Sequence, residues 1–149
     1  MLGVGLQRVS IHVKKPDFTG TWKFNPSKSM LQIPGPDASV FVIDHREPLL
    51  RLSRTHIFEG RSDTFELDLT TNGKEVIGEH GELHLRSRAY WEGETLVFET
   101  NVLQRGEGGV NIVRYTLSNT MDSLVAEERL RSIKINYDNR WVLDKVTQI

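Results

Sequence analysis

The sequence contains no cysteine in its 149 residues, and this absence excludes several kinds of chemistry at once. A chain without thiols has no disulfide, no thiolate nucleophile and no cysteine-ligated zinc or iron–sulfur site. An excess of positive charge is missing too, because 19 lysines and arginines face 20 acids and the formal net charge is −1. Nucleic-acid-binding proteins usually present a basic face, so the charge balance argues against such a partner.

Long apolar runs and familiar catalytic motifs are also missing. No run approaches the ~18 apolar residues that a membrane-spanning helix needs, and residues 1–15 lack the apolar stretch of a secretory signal. We therefore expect no transmembrane segment and favour a cytoplasmic over a periplasmic location. There is no Gly-x-Ser-x-Gly element, phosphate-binding loop or dinucleotide fingerprint, so no cofactor is predicted and the sequence favours a non-enzymatic role.

Apolar residues recur with a period of two along most of the chain, which is typical of β-strands. In residues 63–70, for example, Phe65, Leu67 and Leu69 share one face and acids occupy the other. The predicted strands cover residues 20–25, 39–45, 49–58, 63–70, 75–78, 82–91, 94–104, 109–118, 123–132 and 133–144. Short connections predict that consecutive strands pair antiparallel, giving an all-β up-and-down barrel of about eight to ten strands.

Two segments depart from simple alternation, and one turn is strongly marked. Residues 26–38 contain three prolines, which argue against a long helix, and we expect this segment to cross one end of the barrel. Residues 1–16 form either an extra strand or an N-terminal extension, and residues 17–149 form a single barrel domain. Asn72-Gly73, within the turn at residues 71–74, predicts a tight hairpin because both residues tolerate positive φ.

The opening of the barrel domain carries a family resemblance. Residues 17–29, DFTGTWKFNPSKS, resemble the start of small bacterial lipocalin-like proteins of the calycin superfamily and are similar to the opening of fatty-acid-binding proteins. The resemblance implies a calycin-like barrel in which Gly20 and Trp22 close one end. In fatty-acid-binding proteins an Arg-x-Tyr pair on the last strand clamps a carboxylate. Trp141 and Leu143 stand at those places here, so that clamp is not expected.

Polar residues that share a face with apolar ones are the candidates for contacting a ligand inside the barrel. On this basis the predicted ligand-binding residues are Arg54, His56, Phe98, Arg114, Glu128, Tyr137 and Trp141. A buried arginine is costly unless it meets an acid, water or an anionic ligand, and the sequence leaves these alternatives open. A register error of one residue would reverse the faces of any of these strands.

The segment HGELH at residues 80–84 is the most metal-like pattern in the chain. On a continuous strand His80, Glu82 and His84 would share one face, and their side chains suit zinc, iron or copper. That face continues into arginines while the opposite face is apolar, so the pattern favours a solvated surface, and Gly81 permits a turn that would separate the three. No metal site is predicted.

Three functions remain open from sequence. The first is the binding or carriage of a small, mostly hydrophobic or amphipathic molecule in the barrel cavity. The second is an enzyme that uses the same cavity, with an inward His56 as general base in isomerase-like chemistry. The third is a barrel packed solid, with its interactions on loops. We favour the first, because barrels larger than about eight strands leave space inside.

Overall fold

The computed structural model describes residues 15–147, which form ten strands and one short 3-10 turn. The strands are β1 (Gly20–Phe24), β2 (Ala38–Arg46), β3 (Leu49–Phe58), β4 (Arg61–Thr70), β5 (Val76–His80), β6 (Leu83–Glu92), β7 (Thr95–Gln104), β8 (Glu107–Leu117), β9 (Ser123–Ser132) and β10 (Asn136–Lys145). The predicted all-β architecture is confirmed. The choice between a strand and an extension concerns residues 1–16, of which residues 1–14 lie outside the described residues, while Lys15 and Pro16 belong to no strand.

All ten strands belong to one antiparallel sheet with the order β4-β3-β2-β1-β10-β9-β8-β7-β6-β5. The short strand β1 pairs with β2 on one side and with β10 on the other. The first and last strands are therefore neighbours, and the sheet curves into a barrel. The ends of this order, β4 and β5, share no ladder within residues 15–147. The barrel is therefore nearly closed, with one seam between β4 and β5.

The turn at residues 71–74 corrects one sequence prediction. Gly73 has a φ of 86°, as expected for an Asn-Gly turn, but the strands on either side separate instead of forming a hairpin. The backbone N–H of Thr71 donates to the carbonyl of Pro48, and that of Gly73 donates to the carbonyl of Ala89. Because these donors bind the turn between β2 and β3 and strand β6, β4 and β5 do not pair after the turn, and the hairpin prediction was wrong.

The two ends of the barrel differ. We call the end with Trp22 and the turn between β2 and β3 the packed end, and the end with the turn between β3 and β4 the open end. At the packed end, Trp22 is 1% exposed and its Nε1 donates to the carbonyl of Phe18 at 3.0 Å. The His45 ring receives the N–H of Phe18 at Nδ1 and lies 3.1 Å from Glu47 through Nε2. Gly20 has a φ of 153°, and a side chain at this position would be crowded, because its Cβ would lie 3.3 Å from Cε of Lys145.

The open end holds the turns between β3 and β4, β7 and β8, and β9 and β10, and the proline-rich segment runs beside it. After the 3-10 turn at Pro26–Lys28, capped by the side chain of Asn25, the chain is tied to β10. The N–H of Gln32 donates to Asn139 Oδ1, and Gln32 Oε1 accepts from the N–H of Asp138. These bonds place residues 33–36 against the barrel interior.

Across residues 15–147 the structure contains no helix with the length and apolar character needed to span a membrane.

Candidate ligand cavity

A cavity of about 230 Å³ lies inside the open half of the barrel, between β2, β3, β8, β9 and β10. The apolar part of its lining is formed by Ile33, Pro34, Pro36, Phe41, Phe58, Val113 and Ala126. The rest of the lining carries the polar and amphipathic groups Arg54, His56, Tyr115, Glu128, Tyr137 and Trp141. Five predicted residues thus meet at one cavity: Arg54, His56, Glu128, Tyr137 and Trp141. Their role in binding stays a prediction.

Glu128 is held by neutral donors from both neighbouring strands. Its Oε1 accepts from Trp141 Nε1 at 3.0 Å and from Asn139 Nδ2 at 3.1 Å, while Oε2 accepts from Asn111 Nδ2 at 3.1 Å. All four side chains project inward because their backbone positions alternate with outward residues along paired strands. Three hydrogen bonds to the carboxylate offset part of the cost of placing its charge in the interior.

Arg54 brings a positive charge into the same cavity, and no acid among residues 15–147 forms an ion pair with it. Its Nε is buried and has no hydrogen-bond partner among the described residues. The guanidinium lies over the ring of Phe65, 5.4 Å from the ring centroid, which is a favourable cation–π contact. That contact leaves the N–H groups of Arg54 free to donate.

His56 is fixed in orientation by rings and by one hydroxyl. Its ring stacks on Trp141 with 5.5 Å between centroids, and Nδ1 lies 2.7 Å from the buried Ser39 Oγ. Burial, followed by the nearby charge of Arg54, lowers the pKa of His56 to about 4. The imidazole is therefore neutral near pH 7 and a weak base, which suits hydrogen bonding better than the proton abstraction of the enzyme hypothesis.

Two tyrosine hydroxyls complete the polar part of the lining. Burial raises the pKa of Tyr115 to about 12, and burial together with the charge of Glu128 raises that of Tyr137 to about 12. Both phenols therefore keep their protons at any physiological pH. They add two neutral groups that can donate or accept a hydrogen bond.

Arg114 corrects the predicted orientation of β8. It lies on the outer face of the barrel, where its Nε donates to Glu92 Oε1 at 3.0 Å. The prediction that Arg114 faces inward with Val110 and Ile112 was wrong by one residue, because both faces of this strand carry apolar side chains. Asn111, Val113 and Tyr115 form the inner face instead.

Phe98 faces the barrel interior below the cavity and does not line it. Its ring packs against Tyr115 in an edge-to-face contact, with 4.9 Å between centroids. Phe98 therefore supports a wall residue.

The HGELH segment forms a hairpin turn, so its three polar side chains separate. His80 Nε2 lies 3.1 Å from Asp63 Oδ2, His84 pairs with Glu79, and Glu82 pairs with Arg105. Across residues 15–147, no three His, Cys, Asp or Glu side chains are grouped so that they could hold a metal ion. His80 instead bridges the seam, because Asp63 belongs to β4 and His80 to β5.

No family model matches the chain, and no curated protein matches its sequence. Solved structures do match. Secretory abundant heat soluble protein 4 from Ramazzottius varieornatus has a TM-score of 0.59 at 18% identity, covering 87% of this chain and 95% of that one. A zebrafish ileal bile-acid-binding protein complexed with cholic acid has a TM-score of 0.58 at 15% identity, over 87% and 98%.

A third solved structure, the REP1-NXSQ fatty acid transporter, has a TM-score of 0.60 at 9% identity and covers 89% of this chain and 98% of that one. The fold is thus a calycin-like up-and-down barrel of the fatty-acid-binding-protein type, as the opening residues predicted. At these identities the likeness concerns the fold. The bacterial origin suggested by the sequence stays a prediction.

Proposed function

We propose that this protein binds a small, mostly hydrophobic molecule in the cavity of its barrel and carries or senses it without converting it. The observation that carries the proposal is an interior cavity with an aromatic and aliphatic wall that also contains a buried, unpaired Arg54 Nε. Ligand sites are typically apolar hollows with a few placed polar groups. The fold neighbours whose names state a fatty acid or bile acid as cargo support the same reading.

The size of the cavity limits the ligand. Since a water molecule occupies about 30 Å³ in the liquid, 230 Å³ has room for roughly eight waters. A substituted one-ring or two-ring molecule is of that size. An extended long-chain lipid is too large for this cavity, and part of its chain would have to protrude from the open end of the barrel.

The test uses 1-naphthol, a neutral two-ring molecule, titrated into the purified protein by calorimetry. Ala126 lines the cavity and is 1% exposed, so Ala126→Leu fills part of the space. Val125, its neighbour on β9, points to the other face, and Val125→Leu is the matched control. We expect Ala126→Leu to weaken binding at least about tenfold and Val125→Leu to leave it unchanged.

Thermal unfolding of both variants shows whether Ala126→Leu is still folded at the assay temperature, and Ala126→Val replaces it if not. Native mass spectrometry of the protein purified without added ligand provides the independent readout. Absence of 1-naphthol binding to the folded wild type, with no retained organic mass, would favour the packed barrel and overturn the proposal.

A further inference from the structure

Arg54 and Glu128 place opposite charges in one cavity without forming an ion pair. No Arg54 nitrogen lies within 4.0 Å of a Glu128 oxygen, although both charges act on the pKa values of the same three rings, His56, Tyr115 and Tyr137. Opposite charges that are partly withdrawn from solvent, as both of these side chains are, normally pair directly, because each is costly alone. Here the space between them is the cavity.

Three hydrogen-bonding positions around this space are unused by the described residues. Arg54 Nε is a buried donor without a partner, and Asn111 Oδ1 is a buried acceptor without a partner. Glu128 accepts three hydrogen bonds, whereas a carboxylate has about four acceptor positions, so one position on Oε2 remains. Because Arg54 and Glu128 line the cavity, it offers a donor on the β3 side and an acceptor on the β9 side, whereas Asn111 is bonded to Glu128 without lining the cavity.

We propose that the cavity selects a small ring-containing molecule whose head group has no net charge but carries both a hydrogen-bond acceptor and a donor, such as an amide or a zwitterion. This inference rests on the proposed function and specifies its ligand class. The acceptor meets Arg54, and the donor meets Glu128. The ring lies against the aromatic wall beside Trp141.

Electrostatics explains why a simple carboxylate fits less well. A carboxylate that pairs with Arg54 is repelled by Glu128 across the same small cavity, where charges are poorly screened. A simple amine that pairs with Glu128 is repelled by Arg54 in the same way. A head group of zero net charge satisfies both sides without adding a like-charge contact, and sites built to use a donor or acceptor discriminate strongly against analogues that lack it.

The experiment compares four molecules with the same phenyl ring: 3-phenylpropanamide, phenylalanine, 3-phenylpropanoate and 2-phenylethylamine. Dissociation constants are measured on the wild type by calorimetry or ligand-observed NMR. We expect 3-phenylpropanamide or phenylalanine to bind at least about tenfold more tightly than the propanoate and the amine. The amide and the amino acid distinguish a neutral head group from a zwitterion.

Two neighbouring glutamates provide the matched variants. Glu128→Gln removes the inward charge with little change of shape. Glu127→Gln removes the next charge on β9, which points outward and pairs with Arg140 at 3.0 Å. We expect Glu128→Gln to tighten 3-phenylpropanoate at least about tenfold and to abolish the preference for the uncharged head group, whereas Glu127→Gln changes neither.

Several results would overturn the inference. One is 3-phenylpropanoate binding to the wild type as tightly as the amide and the amino acid. Another is an equal response to Glu128→Gln and Glu127→Gln. If 1-naphthol binds in the cavity but none of the four phenyl compounds does, the inference also fails while the proposed function stands. If 1-naphthol does not bind either and the purified protein retains no organic mass, both fail.

Discussion

Replacing Glu128 tests how the polar side of the cavity is held together. In Glu128→Ala, three donors that now bind the carboxylate lose their acceptor: Asn111 Nδ2, Asn139 Nδ2 and Trp141 Nε1. An unsatisfied buried donor costs about 1–3 kcal/mol. Water from the cavity can reach part of this network, so the lower value applies to each donor and the expected loss is about 3 kcal/mol in free energy of unfolding.

Glu128→Gln should behave very differently. The amide oxygen can keep the bonds from Trp141 and Asn139, and the new amide group faces Asn111. The Asn111 side chain can turn so that its Oδ1, now without a partner, accepts that N–H. Because the substitution also removes a partly buried charge, we expect stability to change by less than about 1 kcal/mol.

Urea unfolding followed by tryptophan fluorescence at pH 7 measures both variants against the wild type. The slope with urea should stay constant, so that midpoints can be compared directly. The reasoning is refuted if Glu128→Gln loses as much stability as Glu128→Ala, because the charge itself would then be required. It is equally refuted if Glu128→Ala costs nothing, because the three donors would then be satisfied by water.

Two further predictions concern His56 and Trp22. The pKa of His56 is about 4 in the folded protein and 6.5 in the free side chain. Between these two pH values the unfolded chain binds a proton at His56 that the folded protein does not bind. His56 therefore lowers the free energy of unfolding as the pH falls from about 6.5 to about 4. After a discount for partial exposure this amounts to about 2 kcal/mol. The stability difference between wild type and His56→Gln should shrink by that amount between pH 7 and pH 4, and a constant difference in urea unfolding contradicts it. Trp22→Ala should cost about 3–5 kcal/mol and Trp22→Phe about 1–2 kcal/mol, because Phe keeps most of the buried surface but not the bond to Phe18. Thermal unfolding checks this order, and equal losses would show that the hydrogen bond rather than the packing matters.

The strands could be predicted from sequence because alternation is a local property, but the face of β8 could not be assigned from its own residues. Val110 and Ile112 are as apolar as Val113 and Tyr115. The pairing of β8 with β9 shows which face of β8 points inward, since Leu117 lies opposite Leu124 and Val113 lies opposite Glu128. Residues that face each other in a ladder share a face, so an inward β9 fixes the inner face of β8. That signal was present in the sequence.

The cavity itself was only partly predictable. Arg54, His56 and Glu128 could be identified because charged or polar residues stand out on an apolar face. Asn111 and Asn139 could not, because single asparagines in strands are common on the solvent face. Their inward role depends on Glu128 lying between them on the adjacent strand, which is a tertiary relation. The seam between β4 and β5 was missed for a similar reason, because an Asn-Gly turn looks alike whether or not its flanking strands pair.

The two halves of the barrel treat buried polar groups differently, and this contrast bears on function. At the packed end His45 accepts the N–H of Phe18, and its other nitrogen lies against Glu47, which also accepts from Thr71 and Trp91. In the open half two buried polar atoms of the described residues, on Arg54 and Asn111, remain without partners. These packed-end groups are paired where side chains fill the interior, whereas Arg54 Nε is unpaired where its residue borders the cavity. Because an unpaired buried group costs stability, a free donor on the cavity wall is what a binding site requires and what a solid core does not explain.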